Sequence, residues 1–272
     1  MSAGKIILVT GASSGIGRAT ADFLHAQGHV VYGANRDASR VSAPWTAITL
    51  DVTKDEDCAR AVAEILARHG RIDVLVNNAG LVWAGAVEDM SVEEARRQFD
   101  VNYFGALRLI RAVLPAMRGQ GSGRIINVSS LAGRLGLPFQ SHYSATKFAL
   151  EGLTEALRPE VARFGVEVVL IEPGDIATNV VNTRLRAAAS GEGSAYADDF
   201  QKLVALYARE EAAGSSPEIV ARRIAAIIET KSPAVRYTAG AFAQRLLVAL
   251  KPFLPSRLYE TCLMKYYGLR RR

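Results

Sequence analysis

Tyr143 and Lys147 are the two residues of this chain whose types and spacing best support chemistry. They lie four positions apart in residues 141–164, where the pattern predicts a long helix, so both side chains should project from one helical face. A tyrosine ionises near pH ~10 and is a poor base at neutrality, but a neighbouring ammonium would lower the pKa of its phenol. The pair therefore predicts a tyrosine that exchanges a proton with a substrate oxygen. A chance match to this short spacing is the alternative.

A glycine-rich turn follows the first predicted strand and leads into a helix. It reads Thr10, Gly11, Ala12, Ser13, Ser14, Gly15, Ile16, Gly17. Gly11 would permit the tight turn, Gly15 the close approach of phosphates, and Gly17 close packing of the helix on the strand. Because a helix start offers unpaired N–H groups and partial positive charge, the turn predicts a dinucleotide site. The alternative is a glycine-rich loop that binds no ligand.

Two more polar residues stand at informative distances from the tyrosine. Ser130 lies thirteen residues before Tyr143, just past a predicted strand, and Asn102 lies forty-one before it. Neighbouring strand residues point to opposite faces, so only one of Ser129 and Ser130 should reach a substrate, and the spacing selects Ser130.

Together with Asn77–Gly80 and Pro173–Gly174, which also follow predicted strands, these motifs resemble the short-chain dehydrogenase/reductase family over about residues 5–240. The branch with TGxxxGxG and YxxxK consists of NAD(P)-dependent oxidoreductases. The resemblance implies that Tyr143 donates or accepts the proton and that Ser130 holds the substrate oxygen. It also implies that Lys147 binds the nicotinamide ribose and lowers the pKa of Tyr143, and that Asn102 orders a water in a proton relay.

The same resemblance implies the cofactor contacts and the assembly. The implied cofactor-binding residues are Gly11, Ser13, Ser14, Gly15, Ile16, Gly17, Asp51, Val52, Asn77, Ala79, Gly80, Tyr143, Lys147, Pro173, Gly174, Ile176 and Thr178. Asn77 is expected near the adenine ribose, although both Asn77 and Asn78 could instead brace the sheet, the interpretation that we favour for Asn78. The family's helices near residues 94–117 and 141–164 imply a homodimer, and a homotetramer is the other option.

The end of the second predicted strand distinguishes the two nicotinamide dinucleotides. A carboxylate there would bind the adenosine 2′-hydroxyl and repel a 2′-phosphate. This chain has Asn35 and Arg36 at that place, and Asp37, one position later, is expected to turn away from the ribose. Because a guanidinium offers a planar pair of donors to a phosphate, with Ser13 as a further donor, we predict a preference for NADPH over NADH. The alternative is that Arg36 is a solvated loop cation.

The elements that must position these residues alternate along the chain. Six strands are predicted, at residues 6–9, 30–34, 47–50, 72–76, 124–128 and 166–171. Helical patterns lie between most of them, so we predict an α/β fold with a doubly wound, mostly parallel sheet of the Rossmann type. Ligands then bind at the carboxyl ends of the strands. At 272 residues and 49% hydrophobic content, the chain fits a single domain with a C-terminal helical extension.

We assign residues 1–240 to a dinucleotide-binding oxidoreductase domain and residues 241–272 to a basic amphipathic helical extension. Residues 179–216 are rich in Ala, Ser and Gly and predict a mobile flap over the substrate, with an ordinary surface insertion as the alternative. Pro252 and Pro255 split the extension into two short helical pieces. Its apolar faces and cations could lie in a membrane interface, but we favour packing on the fold over the pocket mouth.

Composition excludes several classes of function. The net charge of +6 is concentrated in residues 231–272, which hold nine basic residues and one acid. The rest of the chain lacks the basic and aromatic pattern of nucleic-acid readers, so no nucleic-acid partner is expected. Cys58 and Cys262 lack metal-ligand spacing, so we expect no metal site and a reducing, cytoplasmic location, with peripheral membrane contact through residues 241–272 as an option. No signal peptide or membrane-spanning apolar run is evident.

Apolar residues accompany the predicted catalytic groups. Residues 137–139 precede Tyr143, and residues 81–83 follow the fourth predicted strand. They predict a pocket for a lipid-, steroid- or retinoid-like molecule, although such residues also form core. We therefore predict an NADPH-preferring oxidoreductase that interconverts a hydrophobic carbonyl and alcohol by hydride transfer, with Tyr143 as general acid and base. The alternative is a non-catalytic dinucleotide-binding sensor or scaffold, membrane-peripheral through its basic tail, which would not need the proton relay of Asn102, Ser130, Tyr143 and Lys147.

Overall fold

The computed structural model describes residues 4–269, so the arginines at 270–272 that end the predicted basic extension lie outside the described residues. Its strands are β1 (Ile6–Thr10), β2 (Val30–Asn35), β3 (Thr46–Thr49), β4 (Val74–Asn77), β5 (Trp83–Ala84), β6 (Gly123–Val128), β7 (Val166–Pro173), β8 (Leu185–Arg186) and β9 (Arg236–Ala239). Its α-helices are α1 (Gly15–Ala26), α2 (Asp55–His69), α3 (Val92–Phe99), α4 (Gly105–Gln120), α5 (Ser141–Ala162), α6 (Val180–Thr183), α7 (Ala197–Ala212), α8 (Pro217–Glu229), α9 (Phe242–Leu250) and α10 (Ser256–Tyr266).

Seven strands form one sheet in the order β3-β2-β1-β4-β6-β7-β9, and every neighbouring pair is parallel. The doubly wound α/β fold is confirmed. All six predicted strands are present, and β9 was not predicted. Its sequence, Arg-Tyr-Thr-Ala, lacks the apolar run that marks the other strands, and three of its four side chains are only half-buried. The short strands β5 and β8 pair with each other outside the sheet.

The alternation of side chains along β1 produces two cores. Ile6 and Leu8 pack in a cluster with residues of α2, α4 and α5, whereas Ile7 and Val9 pack on the other face with residues of α1 and α8. Ile7, Leu8 and Val9 are completely buried. Because burying each such side chain stabilises the fold by about 1.5–3 kcal/mol, helices are needed on both faces of the sheet.

The long helical region predicted from Ser91 toward Met117 is interrupted. Ser91 and Glu94 form a reciprocal cap at the start of α3, with the Ser91 N–H donating to Glu94 Oε2 at 2.8 Å. A π-helical turn, Asp100–Phe104, then separates α3 from α4. Such turns insert an extra residue into a helix and often mark functional positions.

The two segments outside the sheet have regular structure. Residues 179–216 contain α6, β8 and α7, and α7 buries Phe200, Leu203, Val204 and Tyr207. The extension contains α9 and α10 with a short 3₁₀ turn, Lys251–Phe253, between them. The predicted flap motion of residues 179–216 stays a prediction. Within residues 4–269, none of the helices has the length and apolarity needed to cross a membrane.

Candidate active site

The carboxyl ends of the strands open into a cavity of about 1140 Å³ that reaches from the turn after β1 to α9 and α10. Of the residues singled out in the sequence, those lining it are Gly11, Ser13, Ser14, Gly15, Ile16, Arg36, Asp51, Val52, Ala79, Gly80, Ser130, Tyr143, Lys147, Pro173, Gly174, Ile176 and Thr178. Gly17, Asn77 and Asn102 do not line it. One cavity therefore brings together most of the predicted cofactor-binding residues and three of the four predicted catalytic residues.

Tyr143 lies in the first turn of α5, and the Ser130 hydroxyl lies close enough to its phenol to lower the pKa of that phenol. Ser130 is held by the turn that follows β6, because its Oγ accepts a hydrogen bond from the backbone N–H of Ala132 at 3.1 Å. The Ser129 hydroxyl is buried and has no hydrogen-bond partner among the described residues. Ser130 is thus the serine that meets the phenol.

Lys147 follows one turn later on α5 and is almost fully buried. Its Nζ donates a hydrogen bond to the carbonyl oxygen of Val128, the last residue of β6, at 2.8 Å. The same atom lies 5.7 Å from the centre of the Tyr143 ring. The helical spacing therefore places the two groups as predicted, and the ammonium is anchored to the sheet.

Burial sets the charge state of both groups. It raises the pKa of Tyr143 to about 12, although the hydrogen bond with Ser130 opposes that rise, and it lowers the pKa of Lys147 to about 8. In the chain without a bound dinucleotide, burial thus holds the pKa of the phenol above its ordinary value, and the lowering by Lys147 that the resemblance implies stays a prediction. At neutral pH the phenol keeps its proton and can donate it.

Asn102 lies in the π-helical turn, behind the cavity wall. Its Nδ2 donates hydrogen bonds to the Leu81 carbonyl oxygen at 2.9 Å and to the Thr146 hydroxyl at 3.1 Å, and its Oδ1 accepts one from the Leu81 N–H at 2.8 Å. Thr146 donates in turn to the Tyr143 carbonyl oxygen at 2.7 Å. The Asn102 side chain therefore fastens the π-helical turn to α5 and to the segment after β4. The water-ordering role implied by the resemblance stays a prediction.

The turn after β1 has the backbone geometry of a phosphate cradle. Gly11 and Gly15 have φ angles of +66° and +56°, a region that favours glycine. A Cβ on Gly17 would lie 2.3 Å from the Gly11 carbonyl oxygen, so the third glycine lets α1 pack on the turn. Ser14 makes no side-chain cap to α1, whose first turn contains no acid. Backbone N–H groups and the positive end of the helix are thus left for an anion, which fits a dinucleotide pyrophosphate.

Asn77, the last residue of β4, and Asn78, which follows it, bind different partners. Asn78 Nδ2 donates to the Thr10 carbonyl oxygen at 2.9 Å, so Asn78 braces the glycine turn as the sequence interpretation favoured. Asn77 is 5% exposed, and its Nδ2 donates to Asn127 Oδ1 at 2.9 Å inside the sheet. The expected position of the Asn77 side chain beside the adenine ribose is therefore corrected, because the amide bridges β4 and β6.

Arg36 and Asp37 follow β2 and point to different surroundings. Arg36 is exposed at the cavity rim, and no hydrogen bond or ion pair within residues 4–269 engages its guanidinium. The Asp37 carboxylate accepts a hydrogen bond from the Ser39 hydroxyl at 2.5 Å and pairs with Arg40 at 2.8 Å, and these contacts lower its pKa. The end of β2 therefore presents a cation, while the neighbouring carboxylate is already bound elsewhere.

The other half of the cavity is apolar. The extension contributes Leu247, Val248, Leu254, Tyr259, Leu263 and Tyr267 to its lining, and the loops after β4 and β6 contribute Leu81, Val82, Trp83 and Leu137. Residues 81–83 were predicted from the sequence to lie here. The inner faces of α9 and α10 therefore close the end of the cavity that lies away from the glycine turn.

A charged cluster that the sequence analysis did not single out lies beside Tyr143. Arg184, with a side chain 2% exposed, pairs with Glu211 and lies over the Tyr207 ring at 5.8 Å. Glu211 and Asp175 lie close enough to Tyr143 to raise the pKa of its phenol, and Arg184 lowers it. An isolated arginine was visible in the sequence, but its partner follows 27 residues later and belongs to no motif.

Sequence comparisons give relatives for almost the whole chain. Residues 5–189 match the family model described as short chain dehydrogenase. A 3-ketodihydrosphingosine reductase of Bacteroides thetaiotaomicron is 40% identical over 266 residues, which cover 98% of this chain and 99% of that protein. Retinol dehydrogenase 8 of Bos taurus is 34% identical over 272 residues, which cover 93% of this chain and 86% of that protein.

Solved structures share the fold. A short-chain dehydrogenase from Streptomyces avermitilis has 38% identity and a TM-score of 0.81, with 94% of this chain and 96% of that chain covered. One from Burkholderia phymatum in complex with NAD has 26% identity and a TM-score of 0.80, with 92% and 93% covered. One from Burkholderia cenocepacia in complex with NADP has 28% identity and a TM-score of 0.72, with 97% of each chain covered. Neighbours of this fold thus bind either dinucleotide.

Proposed function

Because this chain belongs to the short-chain dehydrogenase family, we propose that it reduces the ketone of a long-chain lipid with NADPH. Family membership itself establishes an oxidoreductase of carbonyls and alcohols that binds a nicotinamide dinucleotide. The observation that carries the proposal is the closeness of the Tyr143 phenol to the Ser130 hydroxyl, in a cavity with a glycine turn at one end and apolar helices at the other.

Four side chains account for the proton chemistry. The Ser130 hydroxyl donates a hydrogen bond to the substrate carbonyl oxygen and holds it beside the phenol. A bound nicotinamide supplies the hydride. Tyr143 gives its proton to the oxygen as negative charge develops there, and the Lys147 ammonium, 5.7 Å from the ring, stabilises the phenolate. We assign to Asn102 the ordering of a water that resupplies the proton.

The preference for NADPH is supported by the end of β2. Arg36 is a cation at the cavity rim without a partner among the described residues, and Asp37 is occupied by Ser39 and Arg40. A 2′-phosphate would therefore meet a guanidinium and no opposing carboxylate at this strand end.

The substrate class is supported by the charges beside the phenol as well as by the apolar half of the cavity. Asp175 and Glu211 line the cavity near the phenol, and Arg184, the guanidinium near them, is bound to Glu211 and almost fully buried. An excess of carboxylates next to the reacting carbonyl favours a substrate with an ammonium group close to its ketone. The likeness to a 3-ketodihydrosphingosine reductase supports the same class.

We propose a homodimer, with a homotetramer as the other option, and a cytoplasmic enzyme that touches membrane through the extension. Phe104 and Phe148 are 44% and 43% exposed and lie beside α4 and on α5, the region that the resemblance implies for pairing. The extension lines the cavity with one face, while Phe242 and Phe253 on its outer face are 74% and 82% exposed.

The test is a substrate panel followed by NADPH absorbance. It contains a long-chain 2-amino-3-ketone, the same ketone without the amine, a retinaldehyde and a steroid ketone. We expect kcat/KM for the amino ketone to exceed that for its amine-free analogue by about 10-fold. Glu211→Gln should reduce this ratio, and Glu192→Gln, at an exposed position, should not. Tyr143→Phe should reduce every rate by about 1000-fold.

The outcomes separate two parts of the proposal. Absence of turnover for every ketone, or a rate that survives Tyr143→Phe, would overturn the reductase function. Equal kcat/KM for the amino ketone and its amine-free analogue would overturn only the preference for an ammonium group. Faster turnover of the retinaldehyde than of either ketone would favour a retinoid substrate.

A further inference from the structure

One face of α5 bears four ionisable side chains at four-residue intervals: Tyr143, Lys147, Glu151 and Glu155. The row begins at the catalytic phenol inside the cavity and ends at Glu155, whose side chain is 56% exposed. Residues spaced in this way are neighbours on a helix surface, so each charge acts on the next.

Glu151 is the buried member of the row without a complete set of partners. Its side chain is 7% exposed, and its Oε2 accepts a hydrogen bond from Arg236 Nε of β9 at 2.9 Å. Its Oε1 is buried and has no hydrogen-bond partner among the described residues. The same Arg236 also binds Glu155 and lies 3.2 Å from Glu172 of β7, so one guanidinium is shared by three carboxylates.

The cluster around Glu151 contains a second guanidinium. Arg134, from the segment after β6, lies 3.4 Å from Glu172. Because burial raises the pKa of Glu172 to about 7, this carboxyl is partly protonated at neutrality, and Glu151 is the carboxylate of the cluster that follows Lys147 by one turn of α5. No ion pair within 4.0 Å joins Lys147 to Glu151 in the described chain, so the carboxylate acts through its field across a buried region where screening is weak.

We propose that Glu151 is a positioning residue that keeps Lys147 in its ammonium form and thereby sets the alkaline limit of catalysis. The statement about the charge of Lys147 stands on the geometry of α5, whereas the statement about catalysis rests on the proposed reductase function. Burial lowers the pKa of Lys147, and Glu151 is the charged group that raises it. Without Glu151, the amine would therefore lose its proton closer to neutrality.

The direct test measures the Lys147 amine without any substrate. Labelling by acetic anhydride, quantified at Lys147 by mass spectrometry across pH 6–10, reports the neutral amine. We expect Glu151→Gln to lower the apparent pKa by about one unit, which raises labelling near pH 7.5 about threefold. Glu151→Met, an apolar substitute of similar length, should lower the apparent pKa of Lys147 in the same way and serves as the test if the Gln variant folds poorly. Glu151→Asp should keep most of the wild-type value.

Glu155→Gln is the matched control, because Glu155 also binds Arg236 but lies one turn farther from Lys147 and near solvent. The apparent pKa of Lys147 in Glu155→Gln should stay close to the wild-type value. An unchanged Lys147 titration in both Glu151→Gln and Glu151→Met, or an equal shift in Glu155→Gln, would overturn the proposal. If labelling shifts but the alkaline limb of kcat/KM does not, the catalytic part fails while the charge assignment stands. Absence of turnover in the wild type would count against the proposed function alone.

Discussion

The Nζ atom of Lys147 donates a hydrogen bond of 2.8 Å to the carbonyl oxygen of Val128, at the end of the strand that leads to Ser130. This contact ties the ammonium to the sheet rather than to a mobile loop. The distances from Lys147 to the phenol and to the serine are therefore fixed by the packing of α5 on β6 and β7. A site preorganised in this way has little left to rearrange when a substrate binds.

The first prediction concerns the pH dependence of reduction. Because the pKa of Lys147 is about 8 and that of Tyr143 about 12, kcat/KM should be flat from about pH 6 to 7.5 and fall above about pH 8. The active form is the one with both groups protonated, so activity is lost on the alkaline side. Steady-state rates in overlapping buffers check this limb. Lys147→Gln should lower kcat/KM by about 100-fold or more, and a wild-type profile that rises above pH 8 would contradict the assignment.

The second prediction concerns the choice of cofactor. Arg36→Asp should lower kcat/KM for NADPH by about 10- to 100-fold, because it removes a charge-assisted hydrogen bond to the 2′-phosphate and adds repulsion. The value for NADH should stay level or improve. Arg68→Gln is the control, since Arg68 is an exposed arginine that pairs with Glu64 on α2 and does not line the cavity. Equal use of both cofactors by the wild type, unaltered in Arg36→Asp, would refute the preference.

The third prediction concerns stability and Glu172. Burial, with a smaller contribution from Glu151, raises the pKa of Glu172 to about 7. The folded state therefore binds a proton more tightly than the unfolded chain, and wild-type stability should decline as pH rises from about 4.5 through 7, by up to about 3 kcal/mol. Glu172→Gln lacks this titration. The Tm of the variant minus that of the wild type should therefore become more positive as pH rises from 5 to 8. Thermal unfolding at several pH values measures the difference.

Glu160→Gln, an exposed substitution on α5, controls for the loss of one negative charge. A Tm difference between Glu172→Gln and the wild type that stays constant across that pH range would show that Glu172 does not titrate there.

The fourth prediction concerns the extension. Phe242 and Phe253 are exposed in an extension that also bears the exposed Arg257, so the protein should float with vesicles that contain anionic lipid at low salt and detach at high salt. The double variant Phe242→Ser and Phe253→Ser should weaken this association, whereas Val87→Ser, at a 64% exposed position elsewhere, should not. Absence of flotation at every salt concentration would leave the extension as a cover for the cavity only.

Local sequence patterns predicted much of the fold and the closeness of Tyr143 and Lys147. β1 is five consecutive buried residues, so its apolar run alone identifies it. The closeness of Tyr143 and Lys147 follows from helical periodicity within α5. Strand β9 escaped prediction because its place is determined by pairing with β7 rather than by its own composition.

Properties that depend on tertiary burial could not be predicted from spacing. The four-residue spacing shows the ammonium near the phenol, but it does not show the burial that raises the pKa of Tyr143. Arg184 and Glu211 meet only because residues 179–216 fold back over the cavity with β8 paired to β5. Asn77 was assigned to the ribose from its motif, whereas its Nδ2 donates a hydrogen bond to Asn127 on the adjacent strand.

The apolar wall of the cavity is built from α9 and α10, which follow the last strand of the sheet. The far apolar end of the cavity is thus encoded in a different stretch of the chain from the proton-transfer groups. Substitutions after residue 241 can change which molecules fit the cavity without altering the proton-transfer groups. Chimaeras that exchange this terminal stretch between relatives offer a direct way to redirect the enzyme toward acceptors of other lengths.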